Sequence, residues 1–132
     1  MSTKTLTTAI EKIAPTAILK LDGPFNDFHA KEIIGIIDDL LGQGFVHFII
    51  NFNKCTEVNN YGVSVLISLI GSINAKKGKL IFTNVDQYLE KKLKMMGLAA
   101  YAEFYSEDKI ALESLIEKHY KRFFNIRKSY SL

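Results

Sequence analysis

Residues 45–52 read FVHFIINF, an apolar run broken only by His47 and Asn51. It is too short to cross a bilayer, which takes about 20 residues in a helix. It is also too continuous for a strand with one wet face, where polar and apolar residues alternate. A strand buried on both faces accounts for it. The run therefore predicts the central strand of a sheet. Directly after it, NKCTEVNNYG (53–62) leads into VSVLISLIGSINA (63–75), an apolar stretch of helical length that stops at Lys76-Lys77-Gly78.

The same alternation of strand and helix continues outward. Upstream, TAILKLDG (16–23) places Ala17, Leu19 and Leu21 on one face and Ile18 and Lys20 on the other. That pattern predicts a strand, ended as a turn by Asp22-Gly23-Pro24. TLTTAIEKIA (5–14) alternates more weakly and pairs with it as a hairpin through Ala14-Pro15. Asn26 is a candidate helix cap, with Asp27 in the first turn. Ala30, Ile33, Ile34, Ile37, Leu40 and Leu41 then repeat at three and four until Gly42 and Gly44, with Lys31, Glu32, Asp38 and Asp39 outside.

Downstream, KLIFTNV (79–85) reads as a short strand. Leu89, Leu93 and Met96 sit at helical spacing before Gly97, and AYAEFY (100–105) is a brief last strand. Ser106, Glu107 and Asp108 open a final helix with Ile110, Leu112, Leu115, Ile116 and His119 inward or nearby. The order predicts a single α/β domain with a mixed, mostly parallel central sheet after an initial hairpin, its helices packed chiefly on one face.

Totals narrow the function. The chain has 132 residues, 48% hydrophobic and 23% charged, with net charge +3, which fits one domain with a sizeable core and gives no nucleic-acid footprint. The polar start MSTKTLTTAIEK lacks the apolar core of a signal peptide. With no run long enough to span a membrane, a cytoplasmic location is expected. The lone Cys55 fits a small loop residue kept reduced, and no metal or cofactor set surrounds it. No Gly-rich phosphate loop, HExxH pair or GxSxG elbow occurs. His29, His47 and His119 fall in three different elements. Asp38-Asp39 diverge along a helix, and Glu107-Asp108 suit a helix's first turn. The expectation is a protein that is not an enzyme.

The junction TEVNNYGVSVL (56–66) remains. At 100° per residue, Val63, Leu66, Ile67, Ile70 and Ile73 cluster on one arc of the following helix, with Val65 and Leu69 at its edge. The opposite arc carries Asn60, Ser64, Ser68 and Ser72, joined by Tyr61 and Gly71. A solvated face is ordinarily built from Lys, Glu and Gln, which favour helix. Serines and glycine cost helix propensity, so this arc either follows incidentally from an asparagine cap at Asn59 or Asn60 or allows a partner to approach closely.

The ordered set LKLDGPFN, IINFNKCTEVNNYGVSVLISL, GKLIFTNV and LKMMGL…FYSEDKIAL resembles the STAS domain family, which includes anti-sigma factor antagonists and sulfate-transporter tails. The resemblance runs from about Leu6 to about Lys118 and implies a SpoIIAA-like domain over residues 1–118. In that family the junction reads Asp-Ser-Ser-Gly-Leu-Gly. Aligned on Gly62, the aspartate falls on Asn59, the phosphorylated serine on Asn60, the second serine on Tyr61 and the second glycine on Ser64. The resemblance implies a signalling adaptor that binds a protein partner, an anti-sigma factor serine kinase, through Asn59, Asn60, Tyr61, Gly62, Ser64, Val65, Ser68 and Leu69. Asn60 has no hydroxyl, so the usual switch is absent. Thr56 and Ser64 are the remaining hydroxyls there, Thr56 being the better placed because it precedes the helix.

A second function from a different class is an accessory subunit of an ABC-type lipid-transport complex, which some stand-alone STAS domains also resemble. The last residues, KHYKRFFNIRKSYSL (118–132), depart from a minimal ending of the family, and 119–132 is set apart as a basic, aromatic extension. Either Phe123 or Phe124 continues the packing of the last helix, or the tail meets an acidic partner or membrane surface.

Overall fold

A computed structural model of the chain describes residues 5–116. Five strands form one sheet in chain order: β1 (Thr7–Ile13), β2 (Thr16–Phe25), β3 (His47–Val58), β4 (Leu80–Thr83) and β5 (Glu103–Tyr105). β1 pairs antiparallel with β2, as expected of the hairpin, and β2, β3, β4 and β5 are mutually parallel. Between the parallel strands run α1 (Asp27–Gly42), α2 (Asn60–Ala75) and α3 (Gln87–Met95), the last followed by a 3-10 turn, Leu98–Ala100. Residues 108–116 form a further helix, α4.

The FVHFIINF run is the middle strand, covered on both sides. Phe48, Ile50 and Phe52 enter the larger core with Ala17, Leu19 and Leu21 of β2 and the inner faces of α1, α2 and α3. Edge-to-face contacts link Phe25, Phe52, Phe82 and Phe104 through that core. Ile49 points the other way and meets Ile18, Ile81, Ala111 and Leu115 beneath α4. Three helices thus lie on one face and one on the other.

Four expectations are corrected. Asp22-Gly23-Pro24 does not end β2, because the strand bulges and stays paired with β3 as far as Phe25–Val58. Gly23 supplies the required positive φ of 114°. Correspondingly, β3 runs on to Val58, so Cys55 and Thr56 are strand residues rather than loop residues. Asn26 occupies the cap position of α1, but its side chain makes no cap bond and instead donates to Glu57 Oε1. In α4 the buried residues are Ala111 and Leu115, whereas Ile110 and Ile116 are exposed. The small Ala111 lets the helix lie close to the sheet. His119 and the extension 119–132 lie outside the described residues, and so does the domain boundary at 118.

Asp108 explains the acidic pair at the start of α4. Its carboxylate accepts hydrogen bonds from Thr83 Oγ1 (2.5 Å) and Asn51 Nδ2 (2.9 Å), joining the helix to β4 and β3. His47 is structural, its Nδ1 accepting from the Lys79 amide at 3.0 Å.

Candidate partner-binding surface

The start of α2 sits at the C-terminal end of the parallel strands, where open α/β sheets generally build their sites. Three elements converge on it. Phe25 and Asn26 leave β2 beside it, Val58 closes β3, and Lys92 of α3 donates to the Val58 carbonyl at 2.9 Å. Asn59 is the cap. Its backbone is extended, its side-chain oxygen accepts from the Gly62 amide at 2.9 Å, and its carbonyl accepts from the Val63 amide at 3.0 Å. The cap satisfies helix-end amides that otherwise have no partner within the helix.

Asn60, the first helical residue, is exposed, and so is Tyr61. Gly62 is buried because the helix presses on the end of β2. A Cβ at this position would lie 2.3 Å from the Phe25 carbonyl oxygen and 2.9 Å from the Phe25 ring. Ser64 is exposed, with its hydroxyl donating to the Tyr61 carbonyl at 2.6 Å. Thr56 is exposed on β3.

The exposed face of α2 consists of Asn60, Tyr61, Ser64, Ile67, Ser68, Gly71, Asn74 and Ala75. Of the eight residues expected to contact a partner, Asn60, Tyr61, Ser64 and Ser68 share this face. Asn59 is half-buried and Gly62 is buried on the inner side of the helix. Val65 and Leu69 do not form its rim, since both are packed in the core, while Ile67, expected inward, is 47% exposed. The arc is rotated because α2 is packed by α1 on one flank as well as by the sheet beneath it.

This face has an unusual electrostatic property: from Asn59 to Ala75 there is no charged residue. Its neighbours differ. Glu32, Asp38 and Asp39 accompany a single lysine, Lys31, on α1, whereas α3 carries Lys91, Lys92 and Lys94 with one acid, Glu90.

Between α2 and the end of α3 runs an open apolar groove of about 280 Å³, lined by Ile67, Ile70, Met96, Gly97, Leu98 and Tyr101. The sequence reading missed it by turning Ile67 inward and setting Met96 in line with Leu89 and Leu93. The available signal was the Met95-Met96-Gly97 sequence, which ends α3 with apolar side chains facing outward. A larger open cavity of about 380 Å³ lies on the sheet near β1, β2 and β3. It mixes Lys20 and Lys54 with Asp22 and brings together no set of groups of one sign.

Cys55 is half-buried, and its thiol donates to the Glu57 carbonyl at 3.3 Å. Burial, with the carboxylates of Glu57 and Asp86 nearby, pushes it up to about 11. Among the described residues no cluster of His, Cys, Asp or Glu could hold a metal ion, and no helix is long and apolar enough to cross a membrane.

Comparison with known proteins follows the same lines. The sequence profile described as STAS domain matches residues 7–110. Comparison with curated protein sequences finds no match. Among solved structures, the chain is similar to an anti-sigma factor antagonist from Mycobacterium paratuberculosis, at TM-score 0.73 and 14% identity over 83% of this chain and 93% of that one. It is also similar to the Bacillus cell fate determinant SpoIIAA in its phosphorylated form, at 0.68 and 19% over 83% and 99%. A sulfate transporter family protein from Wolinella succinogenes matches at 0.67 and 21% over 80% and 90%. At these identities the likeness is one of fold.

Proposed function

The chain belongs to the STAS domain family, and from that premise we propose that it is a non-enzymatic signalling adaptor of the anti-sigma factor antagonist kind. It docks a protein partner, an anti-sigma factor serine kinase, through the exposed start and outer face of α2. The observation that carries this reading is the uncharged stripe of Asn60, Tyr61, Ser64 and Ser68, displayed at the C-terminal end of the parallel strands.

The family switch adds a phosphate at a helix start, about −1.5 to −2 charges within a docking surface. Asn60 stands at that position, exposed, neutral and without a hydroxyl. It resembles the unmodified serine, so the docking-competent state is permanent. Asn59 replaces the family carboxylate and still accepts the Gly62 amide, so the loss of charge leaves the helix start intact.

The test is the affinity of the parent chain and of Ser64→Glu and Ser68→Arg for an anti-sigma kinase from the same cell, measured by calorimetry. Both positions are exposed, so the variants fold and bind at least about tenfold more weakly. Unchanged affinity in both overturns the reading and moves the contact to another face, as an accessory subunit of a transport complex would require.

A further inference from the structure

We propose that β1 is a site of self-association: two copies of the chain pair their β1 edges antiparallel about a two-fold axis at Ile10, joining two five-stranded sheets into one. The inference goes beyond the adaptor reading and does not rest on it. β2 separates β1 from β3, whose end carries the start of α2.

An edge strand directs backbone N–H and C=O groups outward at every second residue. Folded proteins ordinarily blunt such an edge with short length, proline, a bulge or outward charge. The far edge of this sheet is blunted by length, since β5 has only three residues, all half-buried. β1 has none of these devices. It is seven residues long, contains no proline or glycine, and pairs with β2 from Thr7–Asp22 to Ile13–Thr16 without a register shift. All of it but Thr8 is exposed, and among the described residues no strand pairs with its outer side. Its two charges are drawn back onto their own chain. Glu11 meets Lys20 of β2 at 3.6 Å, while Lys12 donates to Gln43 at 3.3 Å and lies over the Phe45 ring. Ile10 and Ile13 are left as exposed apolar groups, one on each face of the sheet.

The occupant is a second copy because the strand complements itself. A two-fold axis perpendicular to the sheet keeps corresponding faces of the two copies on the same side. With the axis at Ile10, the middle of Thr7–Ile13, every residue gains an opposite: Ile10 faces Ile10, Ala9 faces Glu11, Thr8 faces Lys12 and Thr7 faces Ile13. In its own sheet Ala9 lies beside Lys20. Glu11 of the second copy therefore approaches Lys20 across a small side chain, and one such contact between opposite charges arises on each side of the axis. Moving the axis to Glu11 or Lys12 sets like charge against like and leaves Thr7 and Thr8 without opposites. Moving it to Ala9 carries Lys12 and Ile13 past the end of the strand. A strand edge is a small interface, in the class below about 1,200 Å² in total, so the dimer forms as concentration rises. The exposed α2 faces of both copies then lie on one side of the joined sheet.

The experiment is sedimentation equilibrium of the full chain between about 10 µM and about 1 mM, the range in which small contacts dissociate. The parent passes from monomer to dimer, and in parallel the amide signals of Thr7–Ile13 shift with concentration while those of α2 do not. Ile10→Lys and Ile10→Glu each set like charges on the axis and weaken the dimer at least about tenfold. Position 10 is exposed, so both variants keep the circular dichroism and melting of the parent. Mixed in equal amounts, the two variants pair again, because lysine then faces glutamate. Only an axis at residue 10 gives this rescue. A parent chain still monomeric at about 1 mM overturns the proposal and leaves the edge to a strand of another protein. A dimer that both variants retain overturns it too, as do variants that fail to pair when mixed. So does a dimer whose amide shifts fall on α2 and α3, which places the contact at the apolar groove instead.

Discussion

The carbonyl oxygen of Phe25 occupies the space that a side chain at position 62 would need: a Cβ on Gly62 would lie 2.3 Å from it. Glycine at this position is thus required by the approach of α2 to the end of β2. Gly62→Ala forces the helix start away from Phe25. It costs about 1–3 kcal/mol, the range for overpacking a close-packed site, and is measured by urea unfolding. Full stability in this variant removes the steric account.

Asp108 joins α4 to two strands through Thr83, whose side chain is fully buried, and Asn51. Asp108→Ala leaves both donors without their acceptor and costs about 2–3 kcal/mol. Asp108→Asn retains an acceptor for Thr83 and loses less. Thermal and urea unfolding of the two variants give the order, and equal losses would mean that the hydrogen bonds contribute nothing beyond packing.

At the helix start, stability and binding separate. Asn60→Asp places a carboxylate where the helix dipole favours it by about 0.3–1 kcal/mol, so stability holds or rises while partner affinity falls. Parallel calorimetry of unfolding and of binding measures both signs. A variant that loses stability and affinity together reports damage to the fold instead.

Incubated with an anti-sigma serine kinase and ATP, the parent chain remains unmodified at residue 60, and Asn60→Ser gains one phosphate, read by mass spectrometry. Phosphate on Thr56 or Ser64 of the parent means that the switch has moved. Ser64 is the poorer acceptor because its hydroxyl is engaged by the Tyr61 carbonyl.

The Cys55 thiol, pushed by burial from an ordinary value of 9.0 to about 11, stays protonated at pH 8. Its alkylation by iodoacetamide is about a hundredfold slower in the folded chain than in urea, since the thiolate is the nucleophile. The folded value lies above the unfolded one, so this group's contribution to stability is complete below pH 9 and is lost as pH rises through 11. A folded thiol that reacts as fast as the unfolded one contradicts this.

Much of the fold could be read from the sequence because period and burial agree in β2 and β3. Leu19 and Ile18 face opposite cores, as their alternation demands, and the apolar run of β3 is covered by helices on both faces. The bulge that carries β2 past Gly23 could not be read, because a turn and a bulge both use Asp, Gly and Pro. On α2 the apolar residues cover so much of the circumference that the pattern left the facing arc open by one position. Packing chose Val65 and Leu69 over Ile67. On α4 sequence reading preferred the large Ile110, and the close approach to the sheet preferred the small Ala111. Residue type alone narrowed the cap to Asn59 or Asn60, and the structure selects Asn59. The lysine that meets Val58 from α3 could not be identified, because that contact joins residues 34 positions apart.

A helix without a single charged residue from Asn59 to Ala75 is a blank background. On a surface that already carries many charges, one added phosphate changes a sum. On this one it would be the entire local signal, read at full contrast by whatever docks there. Asn60, at the start of that background, carries no hydroxyl on which a phosphate could be placed. On the reading proposed above, one substitution, Asn60→Ser, would give this background a hydroxyl able to carry that charge.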